Sequence, residues 1–163
     1  GLNYRDHADE SPVQAPERPL VFSKFPSSVI GPGDPIVIDR TLTERVDWEV
    51  ELGVVIGARM RNVNAGDALS HVLGFTVGND VSARDVQFGD VQWTRGKSLD
   101  TFCPLGPEIV TLDEAGDGRD LQLRTTVNGE VMQEDSTRSM IFDVPTLLEF
   151  CSRSFTLEPA HEK

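Results

Sequence analysis

The chain has 163 residues, 38% hydrophobic and 26% charged, with 27 acidic against 15 basic side chains and a net charge of -12. This length and composition fit one soluble globular domain with a buried core and exclude a disordered chain. The acidic balance and the lack of any Lys/Arg run exclude a nucleic-acid surface and an anionic membrane partner, and no apolar run nears the ~20 residues of a membrane span.

In chain order, "GLNYRDHADES" is a polar opening with room for one or two helical turns. No signal-peptide pattern stands there, and a start at Gly1 rather than Met leaves targeting open. "PLVFSKFPSSVIGPGDPIVI" reads as a short strand, a loop and a second strand, with "GPGDP" as a turn. Residues 46–58 alternate as one strand that enters a core through Val54, Val55 and Ile56. Asn64 is placed as the N-cap of a short helix through His71. An apolar strand over 72–78 follows and ends on Asn79 and Asp80.

"ARDVQFGDVQWTRGKSLDTFCPLGPEIVT" predicts a short helix, a loop and a strand near 107–111. "LQLRTTVNGEVMQ" predicts a hairpin, because Asn128-Gly129 is a preferred pair for a type I′ turn. "MIFDVPTLLEFCSRSF" predicts a helix with Pro145 in its first turn. No βαβ alternation is present, so the expected class is α+β, predominantly β, with short helices. Cys103 and Cys151 lie in apolar surroundings without disulfide or metal spacing, and are read as buried, reduced thiols in a cytosol-like compartment.

The chemistry concentrates in "VDWEVELGVV". One face of that strand carries Asp47, Glu49 and Glu51. Residues i and i+2 lie roughly 6.5–7 Å apart at ~3.3 Å per residue, so Glu49 and Glu51 can reach one ion. Asp80, where an apolar strand runs into a loop, offers a third carboxylate. Such a set with no Cys or His selects a hard cation, Mg2+ or Mn2+. The competing reading is the solvated face of an amphipathic strand, which repulsion between like charges disfavours.

His7 and Glu10 share a face in a helical turn, where the carboxylate can orient the imidazole as a general base; an exposed polar turn is the plainer reading. Lys97, after a glycine and near apolar residues, can balance an oxyanion or lie on the surface. Arg84 and Asp85 are explained by a salt bridge within a helical turn, with Gln87 in the same stretch.

Taken together and in order, "GLNYRDH", "FSKFPSSVIGPGDPI", "VDWEVELGVVIG", "GFTVGNDVSARDVQ", "QWTRGKSLDTFCPLGP", "VNGEVMQ" and "MIF" resemble the catalytic domain of the fumarylacetoacetate hydrolase superfamily. The nearest likeness is to its acylpyruvases, oxaloacetate decarboxylases and 2-hydroxyhepta-2,4-diene-1,7-dioate isomerases. The resemblance implies a mixed β-sandwich roll with peripheral helices, usually dimeric. It places Glu49, Glu51 and Asp80 on the Mg2+/Mn2+ ligands, His7 and Glu10 on the dyad of a lid over residues 1–15, and Lys97 on the active-site lysine. Arg84 and Gln87 match residues near metal and substrate, while Asp47 is no ligand and is expected beside the site or exposed.

One departure stands at the end. The family typically continues past "TLEPG" with a Gly-Thr-Pro-containing strand and loop; here "TLEPAHEK" puts Ala160 in place of that Gly. The expectation is a single domain over 1–163, cut short after about 159, with substrate binding and dimerisation in question.

The resemblance implies metal-dependent cleavage of a C–C bond in a β-diketo acid of the acylpyruvate type, acting on a small 2-oxo acid in a cytoplasmic homodimer. Glu10 would orient His7 to activate water, and Lys97 would neutralise oxyanion charge. Oxaloacetate decarboxylation or isomerisation of a 2-hydroxy-dienedioate needs only the metal and an enolate. A non-catalytic fragment is the reading from another class.

Overall fold

The structure, a computed structural model, describes residues 2–5 and 16–160. Of the two strands expected between Pro19 and Ile38, one short strand forms, β1 (Val29–Ile30), after a 3-10 turn over Pro26–Ser28. Residues 35–38 pair with no strand: Pro32 and Pro35 lack the N–H a ladder needs, and Ile36, Val37 and Ile38 stay exposed.

The strand expected over 46–58 divides into β2 (Val46–Asp47) and β3 (Val50–Ile56). At the break, side-chain oxygens replace ladder acceptors. Trp48 N–H donates to Asp47 Oδ1 at 3.0 Å, and Glu49 N–H donates to Asn79 Oδ1 at 3.1 Å.

Helix α1 (Ala65–Ala68) runs into a 3-10 turn over Leu69–His71, as the expected helix through His71 required. Asn64 occupies the cap position, but its side chain makes no capping bond; Glu149 Oε2 accepts from Ala65 N–H at 2.8 Å instead. Then come β4 (Val72–Asn79), β5 (Ser82–Ala83), α2 (Arg84–Asp90) and α3 (Thr94–Lys97). The remaining elements are β6 (Cys103–Pro104), β7 (Val110–Thr111), α4 (Leu112–Ala115), β8 (Gln122–Val127), β9 (Glu130–Ser136) and α5 (Val144–Ser154).

The β8–β9 turn has Asn128 at φ 53° and Gly129 at φ 86°, both in the left-handed region that a type I′ turn demands. Helix α5 starts where its sequence predicts, with Pro145 in its first turn and Asp143 Oδ1 accepting from Thr146 N–H at 3.0 Å.

Among the described residues, pairing is spread over small sheets of mixed direction: β3-β4-β7 and β8-β9 antiparallel, β2-β5 antiparallel, and β1-β6 parallel. Two apolar clusters hold them. Met60, Ala68, Val72, Phe75, Val144 and Leu148 join β4, α1 and α5. Val81, Ala83, Val86 and Phe102 lie under β5 and α2. Strand β4 leaves the first cluster at Asn79, and Val81 enters the second, so Asp80 is fixed between two cores. No helix among the described residues is long and apolar enough to cross a membrane.

Candidate active site

The β3–β4 register sets Glu51 opposite Gly78 and Val50 opposite Asn79. Beyond it, Asp80 N–H donates to the Glu49 carbonyl at 2.8 Å, which brings Glu49 and Asp80 side by side. Helix α3 supplies Lys97. It sits close on α2 because Gly96 has no side chain: a Cβ there would lie 2.6 Å from the Gln87 amide nitrogen. Lys97 is only 1% exposed, and its Nζ donates to Glu49 Oε2 at 2.5 Å and Asp80 Oδ2 at 2.8 Å. The Phe22 and Trp93 ring centroids stand 5.2 and 6.0 Å from that ammonium, a further attraction for the charge.

Two more cations complete the cluster. Arg84 donates to Asp47 Oδ2 through Nε at 2.9 Å and Nη2 at 2.6 Å, and its Nη1 lies 2.6 Å from Glu49 Oε1. That corrects the expected Arg84–Asp85 bridge: Asp85 instead accepts from Thr43 Oγ1 and the Glu44 amide. Lys24, from the irregular segment before β1, donates to Asp80 Oδ1 at 2.5 Å. Burial raises the Asp80 carboxyl, but Lys97 and Lys24 outweigh it and hold it below the ordinary carboxylate range. Burial likewise opposes the Arg84 charge, and Glu49 and Asp47 more than compensate.

Glu51 is treated differently. Among the described residues no cationic side chain bonds it. Desolvation first, with the Glu49 and Asp80 charges adding to it and Lys97 opposing, pushes its carboxyl up to about 7. Nearby, the Tyr4 hydroxyl is buried without a hydrogen-bond partner among the described residues. Burial and then the Glu51 and Asp135 charges raise it above its usual range.

Glu51, Asp80, Lys24 and Tyr4 all border one cavity of about 380 Å3. Its walls are otherwise largely apolar, including Leu20, Phe22, Leu105, Met140 and Phe142. Such a chamber, with a few convergent polar groups, suits a small organic anion.

The donor set fits Mg2+ or Mn2+ in kind: three carboxylates, no thiolate or imidazole. Glu49 and Asp80 already converge on a single positive centre, the Lys97 ammonium, and Glu51 beside them is bonded by no cationic side chain among the described residues. Among the described residues no group of three His, Cys, Asp or Glu side chains is arranged to hold an ion as it stands, because Glu49 and Asp80 are turned onto lysine and arginine.

The residues predicted from the sequence thus fall into groups. Glu49, Glu51, Asp80 and Lys97 are brought together. Arg84 bonds Glu49, and Gln87, 2% exposed, accepts from Arg84 Nη1 at 3.0 Å; neither borders the cavity. Asp47 lies beside the site, on Arg84. His7 and Glu10 lie outside the described residues. Both cysteines are free, Cys103 buried and Cys151 partly so, and both border the same cavity. Sequence reasoning missed Lys24 and Tyr4. The only local signal for Lys24 was a lysine flanked by Phe22 and Phe25 in "VFSKFP".

Comparison with known proteins gives the wider frame. The family profile described as "Fumarylacetoacetate (FAA) hydrolase C-terminal" matches residues 1–161. The chain is 49% identical over 161 residues to the oxaloacetate tautomerase FAHD2A, mitochondrial, of Bos taurus, covering 98% of this chain and 51% of that protein. Among solved structures, 5-carboxymethyl-2-hydroxymuconate delta-isomerase from Mycobacterium smegmatis superposes with a TM-score of 0.87 at 46% identity, over 98% of this chain and 62% of that one. A fumarylacetoacetate hydrolase from Exiguobacterium antarcticum gives 0.88 at 47% identity, over 97% and 57%. The chain therefore spans about half the length of the curated relatives it matches.

Proposed function

The chain belongs to the fumarylacetoacetate hydrolase family, and from that premise we propose that it interconverts keto and enol forms of a small 2-oxo acid of the oxaloacetate type. Glu49, Glu51 and Asp80 would hold a divalent cation, Mg2+ or Mn2+. The observation that carries this reading is the buried carboxylate cluster, with Lys97 in its midst, at the edge of an apolar cavity. The tautomerase name of the bovine relative supports it.

When bound, the cation supplies Lewis acidity toward a 2-oxo oxygen and a fixed point for the adjoining carboxylate. The chain's own residues do the rest. Lys97, sealed behind Glu49 and Asp80, holds those two carboxylates and adds a fixed positive charge to the field in which a C3 proton would leave. Arg84, itself braced by Gln87, keeps Glu49 aimed at the cluster. Burial of Lys97 and Glu49 puts these charges at low dielectric, where they act more strongly than in water. His7, oriented by Glu10, is the base proposed to take and return the proton.

A second reading, C–C bond hydrolysis of a β-diketo acid with His7 activating water, is supported by the Exiguobacterium antarcticum hydrolase. The metal centre is common to both, and so is a homodimer, which sedimentation would check.

The test is a thermal shift of the 163-residue chain with MgCl2 or MnCl2, with and without oxalate, followed by an oxaloacetate tautomerisation assay. Saturating ligand raises stability by about 2.7 kcal/mol at 100-fold excess over Kd. A shift and an activity both lost in Glu51→Ala are expected. A folded wild type with neither overturns the proposal. The His7→Ala variant then separates the reactions: hydrolysis of an acylpyruvate that survives it intact rules out the water-activating role.

A further inference from the structure

Lys24 is placed with unusual care for a residue outside any regular element. Its neighbours on both sides are tied to Ser98, the residue after Lys97: Phe25 N–H donates to Ser98 Oγ at 3.2 Å, and Ser98 Oγ donates to the Ser23 carbonyl at 3.4 Å. The side chain between them donates from Nζ to Asp80 Oδ1 and to the Val81 carbonyl at 3.3 Å. Asp80 is thus shared, one oxygen on Lys24 and the other on Lys97.

The two lysines differ in what else they can meet. Lys97 is sealed, its side chain 2% exposed, and it does not border the cavity. Lys24 does border it, with its side chain 15% exposed, and it is the one cationic side chain among the described residues of that lining. The other charged groups there, Glu51 and Asp80, would repel an anion.

Resting on the divalent-cation reading above, we propose that Lys24 is the specificity-determining anion receptor of the cavity. In the cation-free protein it neutralises Asp80; when a divalent cation takes Asp80, Lys24 turns to a carboxylate of the substrate. The 2-oxo-carboxylate end would be satisfied by the cation that Glu49, Glu51 and Asp80 would hold, so the carboxylate that Lys24 meets is the second one. The substrate class is then a short dicarboxylate carrying oxygen at C2, in preference to a monocarboxylate of the same length, whose apolar end would leave the ammonium desolvated and unpaired.

Two consequences run in opposite directions. Removing the Lys24 charge removes a competitor for Asp80, so Mn2+ should bind at least as tightly. It also removes the receptor, so the preference for a dicarboxylate should collapse. A merely structural role would weaken both together.

The experiment measures Mn2+ binding calorimetrically, then the binding of L-malate and of 2-hydroxybutyrate to the Mn2+-loaded protein, in wild type, Lys24→Met and Lys24→Arg. Neither acid reacts, so the readout is independent of turnover. Expected are a preference for malate of about tenfold or more in wild type, its loss in Lys24→Met with Mn2+ affinity equal or higher, and its retention in Lys24→Arg. A preference that survives in Lys24→Met, or a wild type that binds the two acids equally, overturns the role of Lys24 while the metal reading stands. A folded wild type that binds no Mn2+ overturns the metal reading and this role with it. If Lys24→Met fails to fold, Lys24→Gln carries the same comparison.

Discussion

Replacing Lys97 by Met tests whether the cluster is held together by charge. The thioether keeps the aliphatic bulk beside Phe22 and Trp93 but takes the ammonium from between Glu49 Oε2 at 2.5 Å and Asp80 Oδ2 at 2.8 Å. Breaking a buried ion pair from one side costs about 3–5 kcal/mol, because the remaining charge is left desolvated. Two carboxylates are stranded here, yet each keeps one cation: Glu49 keeps Arg84 at 2.6 Å, and Asp80 keeps Lys24 at 2.5 Å. The loss therefore belongs at the lower end, about 3 kcal/mol, or a fall in melting temperature of about 6–12 °C for a chain of this size. Urea and thermal melts in EDTA would measure it. Saturating MgCl2 should recover most of the deficit in the variant, since a divalent cation can take over the neutralisation of Glu49 and Asp80. A variant within about 1 kcal/mol of wild type in EDTA would refute the account, because carboxylates that tolerate loss of their ammonium are not buried as described.

Four further outcomes follow from three residues. Glu51, raised to about 7 from 4.5, binds its proton more tightly folded than unfolded, so its contribution to stability is full below about 4.5 and declines as pH rises through about 7, by about 3 kcal/mol in all; pH-dependent urea melts of wild type against Glu51→Gln isolate it. Cation and proton compete for the same carboxylate, so Mn2+ affinity should rise by up to about tenfold between about pH 6 and about pH 7 and level off above, a slope that Glu51→Gln removes. Gly96→Ala should destabilise by about 1–3 kcal/mol, because the new Cβ meets the Gln87 amide at 2.6 Å, with a urea midpoint at the wild-type value as the contrary result. Tyr4→Phe should cost less than about 1 kcal/mol without ligand, since its hydroxyl has no partner among the described residues to lose; a larger loss by thermal melt would show that the hydroxyl is bonded.

The features legible in the sequence are those whose cause is local. Asn128-Gly129 fixes its turn by backbone preference alone, and Pro145 with Asp143 starts α5 within one helical turn. The carboxylates were legible for the same reason: Glu49 and Glu51 are two residues apart on one strand, and Asp80 ends an apolar run. What escaped depends on partners far along the chain. The break at Trp48 and Glu49 needs Asn79; the cap of α1 comes from Glu149, not from Asn64; and Arg84 turns to Asp47 rather than to its neighbour Asp85. Lys24 finds Asp80 across 56 residues, and no period or spacing announces such a pairing.

The same long-range pairings explain why a strand carrying an acidic face can enter a core. Asp47 and Glu49 share Arg84, Glu49 and Asp80 share Lys97, and Asp80 also holds Lys24, so three carboxylates meet three cations drawn from segments before and after the strand pair. Local neutrality of those six groups leaves Glu51 as the surplus acid, at the edge of the cavity, with its proton held up to about pH 7. A half-buried carboxylate in that condition is stabilised by whatever positive charge arrives, a proton or a metal ion. On the proposed reading, a divalent cation that engaged Glu51 would bring more charge than Glu51 needs, and the excess would displace a lysine. Lys97 is sealed and Lys24 faces the cavity, so on the proposed reading Lys24 would be the one to move, and its movement would couple arrival of the cation to recognition of an anion.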